Sequence, residues 1–192
     1  MIAAPPLTGE QPTFRDVDLD PDRCTITLRR PLLLDLGAVA KGLAIALAGQ
    51  ELAPLGRCMI DAGGDIAVRG LNPAGTLWQI GIRHPRQDDA LLTTLRLTDA
   101  AVCTSGDYER PATPPAVGHH ILDPRSGRSP EAVASVTVIA PTAMAADALG
   151  TAAFILGPRR GLRFLARQGV AGLIVTPDLV THATPDFARY RA

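Results

Sequence analysis

Four segments of the chain concentrate polar groups that a plain core does not need. Asp147 and Thr151 are four residues apart, so on a helix they share one face. A carboxylate and a hydroxyl are hard oxygen donors that suit Mg²⁺, with backbone carbonyls, water or phosphate completing six-coordination. The surrounding residues (Ala145, Ala146, Ala148, Leu149, Gly150, Ala152, Ala153) are small or apolar. An Asp isolated among them is costly to bury unless paired. The plainer alternative is an ordinary helical Asp beside a Thr that bonds its own turn.

The second segment is residues 35–42, DLGAVAKG. Here a strand is expected to end, Gly37 to turn the chain, and a helix to begin with Lys41 in its first turn. Free N–H groups and the dipole make a helix N-terminus an anion site, with phosphate the obvious guest. A lysine there is unfavourable unless an anion or carboxylate compensates. A merely solvated lysine is the alternative. Composition singles it out: of the 19 basic residues, 18 are Arg and only Lys41 is Lys. Codon bias toward Arg explains the skew, yet an ammonium is not always replaceable by a guanidinium.

Residues 61–65, DAGGD, form the third. Paired glycines, Gly63 and Gly64, allow positive φ or close approach of backbone to a ligand. A tight turn without a ligand also explains them. The fourth comprises residues 103–110, CTSGDYER, and 119–127, HHILDPRSG. Thr104, Ser105 and N–H groups near Gly106 could cradle an oxyanion, and Tyr108 could stack on a ring. His120 precedes an apolar pair that could anchor it, and a positioned imidazole suits proton transfer. A structural histidine is the competing reading.

These groups need elements to hold them. Residues 24–34 read as a strand or two and residues 1–15 as loose and Pro-rich. A 3.6-residue periodicity through Val39, Leu43, Ala46 and Leu47 predicts a helix over 38–52, with Gly56 as a C-cap. Short strands follow at 57–60 and 66–69, alternating ones at 78–83 and 91–97, and another at 100–104. Residues 105–131 read as a long functional loop. A strand at 135–140 precedes a helix capped by Thr142 and ended at Gly157-Pro158. A second helix over 159–168 and a strand over 171–176 complete the list. The expected fold is α+β, a largely antiparallel sheet with about three helices packed on it.

The chain has 192 residues with 19 acidic and 19 basic, which sets it at about one domain and argues against a basic nucleic-acid face. No run of 18 apolar residues occurs, so no membrane-spanning helix is expected. The start lacks the basic and apolar regions of a signal peptide, and the reading is a soluble protein, cytoplasmic as written. Three widely spaced cysteines (Cys24, Cys58, Cys103) fit neither a disulfide framework nor a zinc site and are expected to be buried free thiols.

Together, LDLGAVAKG, IDAGGDIAVRG, WQIGIRHPR, AVCTSGDYER, HHILDPRSGR and SVTVIAPTAMAADALGTAAFILG resemble, in this order, the ApbE family of FAD:protein FMN transferases over residues 14–180. The resemblance implies an ApbE-like domain over 14–192 after a loose segment, 1–13. It implies Mg²⁺-dependent transfer of FMN from FAD to a Thr or Ser hydroxyl of an acceptor flavoprotein, with release of AMP. Acceptors would be flavin carriers of membrane electron-transport complexes. Hydrolysis of FAD to FMN and AMP, or an inactive flavin- or metal-binding remnant, are the alternatives, with a purely structural domain behind them.

Carried over by motif, the metal site falls on Asp147, Thr151 and the carbonyl of Ala38, and the catalytic histidine on His120. His119 occupies a position where the family often has Ser. Lys41 falls near the FAD phosphates. Gly63, Gly64, Asp65, Thr104, Ser105 and Gly106 fall in motifs lining the flavin nucleotide site. Asp61 stands where the family usually has Asn, adding charge unless it bonds an N–H. Family members carry a substantial region ahead of the DLG motif, whereas about 34 residues precede it here, so the chain is expected to lack that N-terminal part. Members are commonly exported and membrane-tethered.

Overall fold

The computed structural model describes residues 12–109 and 118–192. Its backbone divides into two compact units, one ending at Leu36 and one spanning Gly37–Ala192. In the first, β1 (Val17–Asp20) and β2 (Thr25–Leu28) pair antiparallel, Val17 opposite Leu28 and Asp20 opposite Thr25. Strand β1 was not legible in the sequence, because VDLD carries half its residues as acids. Of the segment expected to be loose, residues 1–11 lie outside the described residues. The connection between the strands bends at Cys24, whose φ of 51° is left-handed backbone. A turn faces water, so the Cys24 thiol is exposed; Cys58 is half-buried, and only Cys103 is buried as expected.

The second unit is built on a six-stranded sheet ordered β10-β9-β8-β7-β4-β3, every pairing antiparallel. The strands are β3 (Cys58–Ala62), β4 (Asp65–Arg69), β7 (Ala100–Gly106), β8 (Ser135–Ala140), β9 (Ala171–Val175) and β10 (Thr181–Ala183). All six residues of β8 are buried because the strand lies inside the sheet with both faces covered. Period-two alternation divides its side chains between two cores. Val136 and Val138 join Ala101 and Cys103 of β7 on one side. Ile139 joins Val102, Leu173 and the separate ribbon β5 (Trp78–His84)–β6 (Gln87–Leu97) on the other.

Two helices cover the first side. Helix α1 (Gly37–Glu51) starts at Gly37 itself, so Lys41 opens its second turn rather than lying in its first. Helix α2 (Ala143–Arg167) is capped by the Thr142 hydroxyl, which accepts from the Ala145 amide. The two helices expected across 157–158 are present, joined through a kink: Gly157 has φ 77° and ψ 175°, and Pro158 follows. Gly42 marks the crossing of α1 over α2. A Cβ there would lie 2.5 Å from the Ala143 carbonyl oxygen, so only glycine lets these backbones meet.

Candidate active site

The crossing of α1 and α2 brings together groups from four elements. Asp147, on the second turn of α2, is 8% exposed and accepts the Gly42 amide at 2.9 Å. Ala38 lies one turn before Gly42 on α1, so its carbonyl would be offered from the same helix start. One turn along α2, the Thr151 hydroxyl meets the Ser105 hydroxyl of β7 at 3.4 Å. Gly150 faces the same Ser105 oxygen, which a Cβ would approach to 3.4 Å.

Lys41 reaches from α1 toward the sheet. Its Nζ lies 2.8 Å from Oδ2 of Asp65, a carboxylate that is itself 2% exposed. The other Asp65 oxygen accepts the Thr104 amide at 3.1 Å. The Thr104 hydroxyl in turn bonds Thr137 of β8 at 2.9 Å. Asp65 is therefore the carboxylate that a lysine in this helix requires. The Lys41 side chain remains 41% exposed.

Burial pushes the Asp147 carboxyl above the usual carboxylate range; the Gly42 amide pulls it down, the Asp65 charge pushes it up again, and Lys41 opposes. Beside it, burial drives the Cys103 thiol far up, with the Asp65 and Asp147 charges adding to the effect. Cys103 points its Sγ at the Ala143 carbonyl, 3.5 Å away, and is a packing residue rather than a nucleophile.

A cleft of about 290 Å³ opens on the ribbon side of the sheet, between the β3–β4 hairpin and the β5–β6 ribbon, and Thr104, whose amide binds Asp65, lines it. Its tip is the Gly63-Gly64 turn, with φ of 64° and 92°. Asp61 closes that turn by accepting the Gly64 amide at 2.8 Å. Ile66, Ile80, Ile82 and Val102 supply apolar walls, and Thr104, Arg83 and Tyr108 supply polar edges. Tyr108 lies over Gly106, where a Cβ would come within 2.6 Å of its ring, and burial raises its phenol. Arg83 was not singled out by sequence. It lines the cleft from β5, opposite the stretch of β6 where the register slips. Arg86 fixes the end of the same ribbon through two 2.7 Å bonds to the Asp107 carboxylate.

His120 lies on the segment 118–130. This segment folds back on itself: the Asp123 carbonyl accepts from Ser126 and Gly127, and its carboxylate binds the Arg125 guanidinium. Part of the long loop expected over 105–131 is thus strand β7 through Gly106, and residues 110–117 lie outside the described residues. The His120 side chain is exposed.

Among the described residues, no three His, Cys, Asp or Glu side chains gather as a metal cage. The donor set at the crossing is instead a carboxylate, a hydroxyl and a helix-start carbonyl. Such hard oxygens, leaving room for water and phosphate, match the way Mg²⁺ is commonly held. A buried carboxylate beside a second one is also where a cation would be electrostatically welcome. The donor chemistry therefore fits a hard divalent ion.

The model of the ApbE family matches residues 7–174. The chain belongs to the ApbE family. Its ApbE relatives include the FAD:protein FMN transferases of Treponema pallidum, 38% identical over 161 residues, and Vibrio cholerae, 35% identical over 149. Those alignments cover 76% and 75% of this chain but 44% and 45% of the relatives. The chain spans about half the length of the curated relatives it matches. The solved ApbE protein of Thermotoga maritima superimposes with a TM-score of 0.84 at 33% identity, covering 94% of this chain and 60% of that one. The Vibrio cholerae flavin transferase ApbE gives 0.79 at 28% identity, over 93% and 59%. The expected fold class and family are thereby correct. No helix among the described residues is long and apolar enough to cross a membrane.

Proposed function

We propose that this chain transfers the FMN moiety of FAD to a Thr or Ser hydroxyl of an acceptor flavoprotein, releasing AMP, with Mg²⁺ as cofactor. The observation that supports the reading is the meeting at the α1–α2 crossing of Asp147 with the Gly42 amide and of Lys41 with Asp65, with Thr151 one turn along α2 and Thr104 joining Asp65 to a cleft with apolar walls. ApbE membership supports the same chemistry.

Asp147, Thr151 and Ala38 would hold the ion, which when bound supplies Lewis-acid neutralisation of the pyrophosphate. Lys41, held by Asp65, binds a phosphate oxygen. The Gly63-Gly64 turn, the Thr104–Gly106 strand end and the apolar walls orient the flavin nucleotide. Phosphoryl transfer depends on this kind of positioning more than on covalent catalysis. The acceptor hydroxyl oxygen attacks the phosphorus of the FMN half, and the bond from that phosphorus to the bridging oxygen breaks. AMP leaves with the bridging oxygen, and His120 takes the hydroxyl proton.

Incubating the chain with FAD, Mg²⁺ and a verified acceptor domain should give a flavin adduct on the acceptor and an equal amount of AMP. His120→Ala and Asp147→Ala should each abolish both products. AMP formed without an adduct would shift the reading to FAD hydrolysis. Flavin binding without AMP would make the chain a non-catalytic binding form, and either result overturns the transferase reading.

A further inference from the structure

The residue before the proposed base is itself a histidine, and its surroundings are unlike those of a solvated side chain. His119 is 8% exposed, next to exposed His120. Its Nδ1 accepts the Ile121 amide at 3.3 Å, so the ring proton sits on Nε2, which donates to the Pro130 carbonyl at 3.0 Å. Its backbone is held as firmly: the amide donates to Ser129 Oγ at 2.9 Å, and the same hydroxyl donates back to the His119 carbonyl at 2.6 Å. Gly118, at φ 96°, makes room for Ser129, whose side-chain atoms a Cβ would approach to 2.9 Å.

The ring also docks on α2. It stands edge-on to Phe154 with centroids 5.3 Å apart. Phe154 follows Asp147 by seven residues and Thr151 by three, so all three share the α2 face that looks into the site. His119 therefore links the peptide on both sides of His120 to the helix carrying the proposed metal ligands. We infer that His119 is a positioning residue, setting the direction in which the His120 imidazole meets the acceptor hydroxyl. The inference rests on the reading of His120 as proton acceptor.

Two substitutions separate this role from packing. His119→Phe keeps an aromatic edge against Phe154 and loses both ring hydrogen bonds. His119→Asn places an oxygen where Nδ1 lies and can again accept the Ile121 amide as an Asx turn. With FAD, Mg²⁺ and a verified acceptor, His119→Phe should lower kcat on the order of 10²-fold with KM for FAD within about twofold, as misplacement of a catalytic group does. His119→Asn should recover most of the kcat loss. Unchanged kcat in His119→Phe, or equal losses in both variants, would overturn the inference. A readout independent of turnover runs alongside, by imidazole ¹⁵N spectroscopy. Wild-type His119 should appear as the Nε2–H tautomer with one sharp His120 signal set, which broadens or splits in folded His119→Phe. An unchanged His120 spectrum sinks the inference even if the wild-type chain transfers no flavin, whereas absent transfer with the expected spectra sinks only the functional reading.

Discussion

At the scale of single residues, Asp147 combines two demands that oppose each other in the metal-free protein. It is buried on an otherwise apolar helix and lies near a second carboxylate, so its proton is held more tightly in the folded chain than in the unfolded one. A raised carboxyl favours the fold below its unfolded value, and that contribution disappears as pH climbs through the folded value. In the presence of a chelator, wild-type protein should therefore lose stability relative to Asp147→Asn as pH rises above the ordinary carboxylate range. The asparagine retains an oxygen for the Gly42 amide and carries no charge. Its Tm should exceed that of wild type at a pH above the folded-state titration of Asp147, and the gap should close as pH falls toward the ordinary carboxylate range. Adding Mg²⁺ should raise the Tm of wild type and leave the variant unmoved. A less stable Asp147→Asn at such a pH would mean that Lys41 and the Gly42 amide outweigh burial.

At the scale of elements, the geometry depends on how closely α1 approaches α2, and one helix carries its own control. A Cβ at Gly42 would meet the backbone of Ala143 and Met144 at 2.5–2.8 Å, and backbone does not yield as a side-chain tip does. Gly42→Ala should cost about 2 kcal/mol through overpacking, a Tm drop of roughly 4–8 °C by melting followed by circular dichroism. Gly49, seven residues on in α1, has only Ile60 Cδ1 at 3.8 Å. Gly49→Ala should gain about 0.5–1 kcal/mol from helix propensity. Opposite signs on one helix would locate the constraint at the crossing; a harmless Gly42→Ala would remove it.

This contrast also marks what a sequence can convey. The kink at Gly157, the Thr142 cap and the double-glycine turn were legible because each needs a particular residue type at a particular place. Lys41 was legible as a lysine needing an anion, but its partner Asp65 lies 24 positions away and only the β3–β4 hairpin brings it near. Gly42 was not singled out, because its contact with Ala143 and Met144 exists only where α1 crosses α2. Arg83 was not singled out, because only the pairing of β5 with β6 brings it to the cleft. Pairings across the fold, rather than local propensities, decide such roles.

At the scale of the whole molecule, the charge balance and the surface of α1 point to one behaviour. Between Gly37 and Glu51 the helix carries only Lys41 and Glu51 as charges, so it is apolar nearly all round. Gly42 and Ile45 are buried, while Leu43 is 42% and Leu47 52% exposed one turn apart. Leu55 and Met59 continue the exposed apolar surface toward the edge strand of the sheet. Contiguous apolar surface promotes association, and the 19 acids and 19 bases leave no net charge to oppose it near neutral pH. The chain should therefore bind an anilinonaphthalene dye in its folded state and scatter more light with rising concentration near pH 7. Leu43→Glu with Leu47→Glu places two like charges on that face without touching Gly42, Ile45 or the Lys41–Asp65 pair. Dye fluorescence should fall several-fold and scattering should become flat with concentration, at nearly unchanged Tm. Equal dye binding in the double variant would place the sticky surface elsewhere, and a collapse in Tm would show that these leucines are packed rather than exposed.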